Sequence, residues 1–209
     1  MKDNRKFLAV LRDTGAMSFG HYVLASGLHA KMYVNKDAIY MYPRKISLLC
    51  REIAKQFAED NIEVVVAPAL GGIVLTQWVA YHLSKITGRN VLAIYAEKDE
   101  GGFVIKRGYE KFISGKNILV VEDIFTTGGS VKKVVDLVRS MGGIVVGVAG
   151  LVNRGKVALS DVGSPSKFFS LIDIEVETWP EGKCPLCKMR KPINTDLGKG
   201  GEYLKQKKV

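Results

Sequence analysis

Apolar residues recur along this chain in two rhythms. From Pro43, "PRKISLLCREIAKQFAED" carries Ile46, Leu49, Cys50, Ile53 and Phe57 at helical spacing, with proline at a suitable first position. "IEVVVAP" is then a short, β-branched run bounded by Pro68 and Gly71-Gly72, the pattern of a strand covered on both faces. "GGIVLTQWVAYHLSKITG" reads as a helix ending near Gly88, and "VLAIYA" as the next strand. "ILVVE" is a further buried strand. "SVKKVVDLVRSMGG" is a helix with Val131, Val134, Val135 and Val138 on one side. "IVVGVAGLV" is again a strand, and "FFSLIDIEVE" is expected to be the last.

Strands alternating with helices predict a parallel α/β sheet with right-handed crossovers, which places ligands at the carboxyl ends of its strands. Before this core, a short helix opens the chain, and "GHYVLASGLHAKMYVNK" gives extended segments broken at Ser26-Gly27. Within it, "EKDEGGFVIKRG" (97–108) is charged and glycine-containing, and is expected to be a mobile loop or hairpin. The stretch after Trp179 is polar and loop-rich and receives no assigned structure.

Composition changes this picture little. A hydrophobic share of 47% and a charged share of 25% suit a globular protein, and no apolar run is long enough to span a membrane. The opening "MKDNRKFLAVLRDTGAM" has no continuous apolar stretch, so no signal peptide is expected. Three cysteines make no disulfide framework, and a cytoplasmic location is expected. The net charge is +10, of which +6 falls in residues 183–209. That basic tail is read as a solvated terminus in preference to a nucleic-acid-binding arm. The expected division is therefore a domain over 1–182 and a tail over 183–209.

The chemistry concentrates in "ILVVEDIFTTGGS" (118–130). Glu122 and Asp123 fall where a strand ends, and two adjacent acids call for a donor or positive charge beside them. Thr126-Thr127-Gly128-Gly129-Ser130 opens a helix, so its amides and hydroxyls form an anion cradle. Neither G-x-x-x-x-G-K-[ST] nor G-x-G-x-x-G occurs, so this is no nucleotide P-loop. A ribose 5-phosphate fits the spacing, with its hydroxyls on the acids and its phosphate in the cradle. The plainer alternative is that the acids cap a turn that the glycines make.

This motif closely resembles that of the type I phosphoribosyltransferases, which bind phosphoribosyl pyrophosphate (PRPP). The resemblance implies that family's parallel sheet flanked by helices, with a small N-terminal hood over about residues 15–42. It implies that Glu122 and Asp123 hold the ribose hydroxyls, and that Thr126, Thr127, Gly128, Gly129 and Ser130 hold the 5-phosphate. "APALGG" resembles the family's pyrophosphate loop, which assigns Ala69, Leu70, Gly71 and Gly72 to PRPP. "EKDEGGFVIKRG" occupies the place of its flexible catalytic loop, which makes Lys98 and Arg107, with Asp123, the implied catalytic set.

The orotate-using branch is the nearest match. "GHYVLASGLHAKMYVNK" is similar to that branch's base-covering element, and "VNRG" sets Arg154 where the family uses an arginine against a carboxylate. The resemblance thus assigns Ser26, Gly27, Tyr33, Thr126 and Arg154 to orotate. It implies Mg²⁺ held mainly by PRPP without direct protein ligation, and a homodimer that shares the loop. Ala25 and Leu28 replace commonly basic residues, the loop has no histidine, and Asn153 stands where aspartate is frequent. A transferase for a purine base, or a PRPP-sensing regulator with a nucleic-acid-binding tail, are the alternatives. Cys184-Pro-Leu-Cys187 has zinc-knuckle spacing. A structural site needs four ligands, however, and no histidine lies near in sequence. The pair is therefore read as loop thiols, with zinc ligation as the other reading.

Overall fold

The computed structural model describes residues 5–207. In chain order its elements are α1 (Arg5–Asp13), β1 (Met17–Val23), β2 (His29–Val34), α2 (Asp37–Tyr40) and α3 (Pro43–Gln56). Next come β3 (Val64–Pro68), α4 (Gly71–Thr87), β4 (Leu92–Asp99), β5 (Gly102–Val104), β6 (Asn117–Phe125) and α5 (Gly129–Ser140). The chain finishes with β7 (Ile144–Asn153), β8 (Lys167–Asp173), β9 (Thr178–Trp179), α6 (Pro185–Lys188) and α7 (Gly200–Gln206). Two compact units result: residues 5–7 with Tyr42–Ile174, and Leu8–Met41 with residues 175–207.

The first unit is a six-stranded sheet of order β5-β4-β3-β6-β7-β8. All neighbours are parallel except the β4–β5 hairpin. Its strands read as unbroken apolar runs because both faces are covered. Val64, Val66, Ile118 and Val120 pack with the valines 131, 134, 135 and 138 of α5. The alternate positions Val65, Ala67, Leu119 and Val121 are as fully buried, on the side where a Cβ added to Gly72 of α4 would stand 2.5 Å from that of Ala67. Each fully buried valine contributes about 1.5–3 kcal/mol. The helix α4 ends as expected, with Gly88 left-handed at φ 69°. Among the described residues no helix is long and apolar enough to cross a membrane.

The second unit is a three-stranded antiparallel sheet, β1-β2-β9, with α6 and α7. Two expectations change here. The run "FFSLIDIEVE" is not the last strand: β8 stops at Asp173, and Thr178–Trp179 pairs with β2 instead. Glu175 and Glu177 alternate with apolar residues, a pattern with no place in a sheet covered on both faces. The stretch after Trp179 is also ordered into α6 and α7, helices of 4 and 7 residues that are too short to register as periodicity. The segment between them runs along β1, where the amides of Asn194 and Lys199 donate to the carbonyls of His21 and Val23, each at 2.7 Å.

Candidate active site

The sheet reverses its winding between β3 and β6. The connection through α4 leads from β3 outward to β4, and that through α5 leads from β6 the other way to β7. The loops beyond such neighbouring strands part to leave a crevice. The two helices cover opposite faces, so two helix N-termini flank one carboxyl edge, each with unpaired amides suited to an anion.

The strand β6 continues two residues past the acids, to Phe125. Pleating sends Glu122 and Asp123 to opposite sides, which separates their charges. Each carboxylate also accepts from the next amide along the chain. The Asp123 N–H donates to Glu122 Oε1 at 3.0 Å, and the Ile124 N–H donates to Asp123 Oδ1 at 2.7 Å. Backbone amides thus supply donors that adjacent acids require. Asp123 is 3% exposed, and Glu122 is half-buried.

Glu122 lines a concavity of about 100 Å³ together with Ile124 and the run from Phe125 to Val131. Asp123 is not among its lining residues. Gly128, left-handed at φ 77°, turns the chain into α5, and a side chain there would meet the Asp161 carbonyl oxygen at 2.8 Å. Thr127 Oγ1 accepts from the Gly129 amide at 3.4 Å, leaving the Thr126 and Ser130 hydroxyls on the same small hollow.

On the neighbouring strand, the Ala69 amide donates to the Ala96 carbonyl at 2.8 Å, Leu70 is 83% exposed, and Gly71 starts α4. The Ala69–Leu70 peptide is cis. Parallel pairing sets Pro68 beside Ala96, so Lys98 lies two residues beyond that level at the same edge. The segment 97–108 forms a hairpin, with Lys98 opposite Phe103. Arg107 donates through Nε to Glu97 Oε1 at 2.6 Å, and this carboxylate holds the guanidinium above its ordinary range. A larger recess, about 630 Å³, lies between that hairpin and α5. Asp99, Glu100 and Asp136 outnumber Lys133 on its rim, an acidic lining ill suited to a phosphorylated ligand.

Arg154 follows β7. Its amide donates to the Phe125 carbonyl at 3.0 Å, and its Nε donates to Thr126 Oγ1 at 3.2 Å. The structure therefore joins "VNRG" to the 126–130 turn. Two neighbours make this joint, and sequence reasoning gave neither a role. Asn153 donates through Nδ2 to the Val157 carbonyl and accepts from the Val157 amide, both at 3.0 Å, closing the turn. A carboxylate could only accept, which is why asparagine suits this position. Gly155 packs so tightly that an added Cβ would lie 1.6 Å from the Thr126 carbonyl oxygen. The glycine directly after the arginine was the available signal.

The remaining expected residues, Ser26, Gly27 and Tyr33, belong to the second unit. Gly27, at φ 79°, makes the β1–β2 turn and donates to the Leu24 carbonyl at 2.9 Å. Tyr33 in β2 is half-buried, with its ring centroid 5.5 Å from that of Tyr22.

Comparison with known proteins shows the family. Residues 37–183 match the family model of the phosphoribosyl transferase domain. The chain is 38% identical over 193 residues to the orotate phosphoribosyltransferase of Caldanaerobacter subterraneus subsp. tengcongensis, covering 91% of this chain and 95% of that one. It is 40% identical over 193 residues to that of Chlorobaculum parvum, covering 91% and 94%. The structure of Mycobacterium tuberculosis H37Rv orotate phosphoribosyltransferase in complex with inorganic phosphate superposes with a TM-score of 0.65, at 24% identity over 83% of this chain and 96% of that one, a likeness of fold. With a matching domain and relatives this similar over nearly their whole length, the chain belongs to the orotate phosphoribosyltransferase family.

Proposed function

We propose that the protein transfers the phosphoribosyl group of PRPP to orotate, giving orotidine 5′-phosphate and pyrophosphate. The observation that carries this reading is the Arg154–Thr126 bond, which sets a guanidinium at the rim of an anion cradle. Such a pair suits a base bearing a carboxylate beside a bound ribose phosphate, since guanidinium and carboxylate match as planar two-point partners.

The base nitrogen is itself the nucleophile. It bonds to the anomeric carbon as the carbon–oxygen bond to pyrophosphate breaks, through an oxocarbenium-like state. The protein then has to orient two substrates and stabilise departing charge, and no Ser-His or Cys-His pair is needed. In this reading the 126–130 cradle holds the 5-phosphate and Glu122 accepts from the ribose hydroxyls. Asp123 is assigned to the same ribose by the family resemblance. The amides at Ala69–Gly72 receive pyrophosphate, and Lys98 and Arg107 neutralise it, Arg107 exchanging Glu97 for the leaving group. Ser26, Gly27 and Tyr33 are assigned to orotate on the resemblance alone.

Mg²⁺ belongs to the proposal. The oxygen-rich lining around Glu122 fits a hard cation brought in on PRPP oxygens, where it would offset phosphate charge. A loop-sharing homodimer and a cytoplasmic location complete it.

Purified protein mixed with Mg²⁺, PRPP and orotate should consume orotate absorbance, and adenine, guanine, hypoxanthine or uracil should give no product. Turnover of one of these other bases without orotate would overturn the base assignment and keep the PRPP site. Saturable PRPP binding without turnover of any base would remove the enzymatic reading.

A further inference from the structure

We propose that the second unit binds one zinc ion through His21 Nε2, His29 Nδ1, Cys184 Sγ and Cys187 Sγ, and that the ion ties the C-terminal segment to the β1–β2 hairpin. These four donor atoms all lie within 4.8 Å of one another. Cys184 and Cys187 read as loop thiols in sequence because two further ligands were missing, and the fold supplies them from a hairpin more than 150 residues earlier in the chain.

The spacing is that of a tetrahedral site. Ordinary zinc–nitrogen and zinc–sulfur bond lengths place tetrahedral ligands about 3.3 Å apart for N–N and about 3.6 Å for N–S. Cys184 Sγ and Cys187 Sγ each stand 3.7 Å from His21 Nε2, and Cys187 Sγ stands 3.3 Å from His29 Nδ1. The two ring nitrogens are 2.8 Å apart, so metal entry requires them to part by about half an ångström.

The hydrogen bond of His21 points the same way. His21 Nδ1 faces the Lys191 carbonyl oxygen at 2.8 Å, and a carbonyl can only accept. Nδ1 therefore carries the ring proton, and the Nε2 lone pair is turned on His29 and both sulfurs. A carbonyl on the outer nitrogen is the usual way a ligating imidazole is oriented. His21, His29 and Cys184 are buried, at 2%, 0% and 0% exposure, and Cys187 is half-buried. Two thiolates would cancel the ion's charge, making a buried site electrically neutral. A donor set of two sulfurs and two imidazoles with no carboxylate selects zinc over magnesium or calcium.

The local backbone serves this arrangement. Pro185 starts the short helix α6 directly after Cys184, and the Arg190 amide donates to the Cys187 carbonyl at 2.9 Å. Arg190 is left-handed at φ 52°, and the Lys191 amide returns to the Leu186 carbonyl at 2.9 Å, which carries the Lys191 carbonyl to His21. With four protein ligands and no open position, the site is structural.

The test is metal content of the full chain, purified under reducing conditions from zinc-supplemented culture and desalted. One zinc per chain is expected, falling at least tenfold in Cys187→Ser. To separate metal loss from misfolding of that variant, the second measurement uses unaltered protein: zinc is released by a mercurial and replaced by cobalt(II). Tetrahedral thiolate–cobalt absorption should appear at one equivalent, with two thiols becoming reactive only after metal removal. Metal-free protein that takes up neither ion would overturn the proposal. So would a Cys184–Cys187 disulfide in the purified chain, or full zinc retention in Cys187→Ser.

Discussion

Arg154 Nε donates to the hydroxyl of Thr126 at 3.2 Å, across a separation of 28 residues. A side chain of the 126–130 turn thereby orients Arg154, so that in the proposed reaction the sites for the two substrates would share a joint. Arg154→Ala should lower kcat/KM for orotate by about 10²–10³-fold, the order expected for loss of a charged two-point partner. The KM for PRPP should change less than roughly threefold, because the cradle is largely backbone. Arg154→Lys should recover only part of the loss, since an ammonium offers no planar fork. Steady-state kinetics with each substrate varied separately tests this, and an unchanged orotate efficiency would remove the assigned role.

Gly155 is the steric condition for that joint. A methyl group there would collide with the Thr126 carbonyl oxygen, where an added Cβ falls at 1.6 Å. Backbone must move to admit it, so Gly155→Ala should cost about 1–3 kcal/mol and lower Tm by roughly 2–4 °C for each of them. Gly182→Ala, with nothing within 4 Å of the new carbon, is the control and should leave Tm near that of the parent chain. Thermal unfolding of the three proteins side by side decides the matter.

Lys98 and Arg107 lie on exposed backbone of the β4–β5 hairpin and after it, and neither supports the core. Lys98→Ala and Arg107→Ala should each reduce kcat by roughly 10²–10³-fold, the usual cost of losing charge stabilisation on a leaving group. Their Tm values should stay within about 2 °C of the parent, as for surface changes generally. A large Tm loss would mean the residues are structural, and an unchanged kcat would mean they are bystanders.

His82 gives a pH signature in the first unit. Its Nε2 lies 2.9 Å from Ser47 Oγ. Burial pushes its imidazolium below the ordinary value of 6.5, the Ser47 hydrogen bond opposes this, and the charge of Arg51 adds to the lowering. The unfolded chain thus takes up this proton at higher pH than the folded one. Stability is accordingly present above pH 6.5 and is lost as pH falls through that value. Urea midpoints at pH 7.5, 6.5 and 5.5 should decline toward acid, and His82→Gln should decline less steeply. Equal slopes would show that the histidine is not the titrating group.

The core strands and the 126–130 turn were legible in the chain because their causes are local. A parallel strand covered on both faces must be apolar at every position, as β3 is from Val64 to Ala67, and glycine or proline must end it. The run from Thr126 to Ser130 contains in five residues both the left-handed turn and the start of a helix, whose amides suit an anion. The short elements after Trp179 were not legible, since 4- and 7-residue helices repeat too few times to show a period. The face each acid takes was likewise decided by the pleat: two neighbours in sequence, Glu122 and Asp123, end with one lining the hollow and the other buried.

What the sequence determined alone were features whose residues lie close together and either repeat with a period or carry a motif: the alternating elements and the Glu122–Ser130 run. Tertiary structure alone brought Arg154 onto Thr126, and His21 and His29 onto Cys184 and Cys187. The physical reason is chain entropy. A contact across more than 150 residues leaves no local pattern, because its loop is closed by the whole fold's burial and by no preference of the residues that meet.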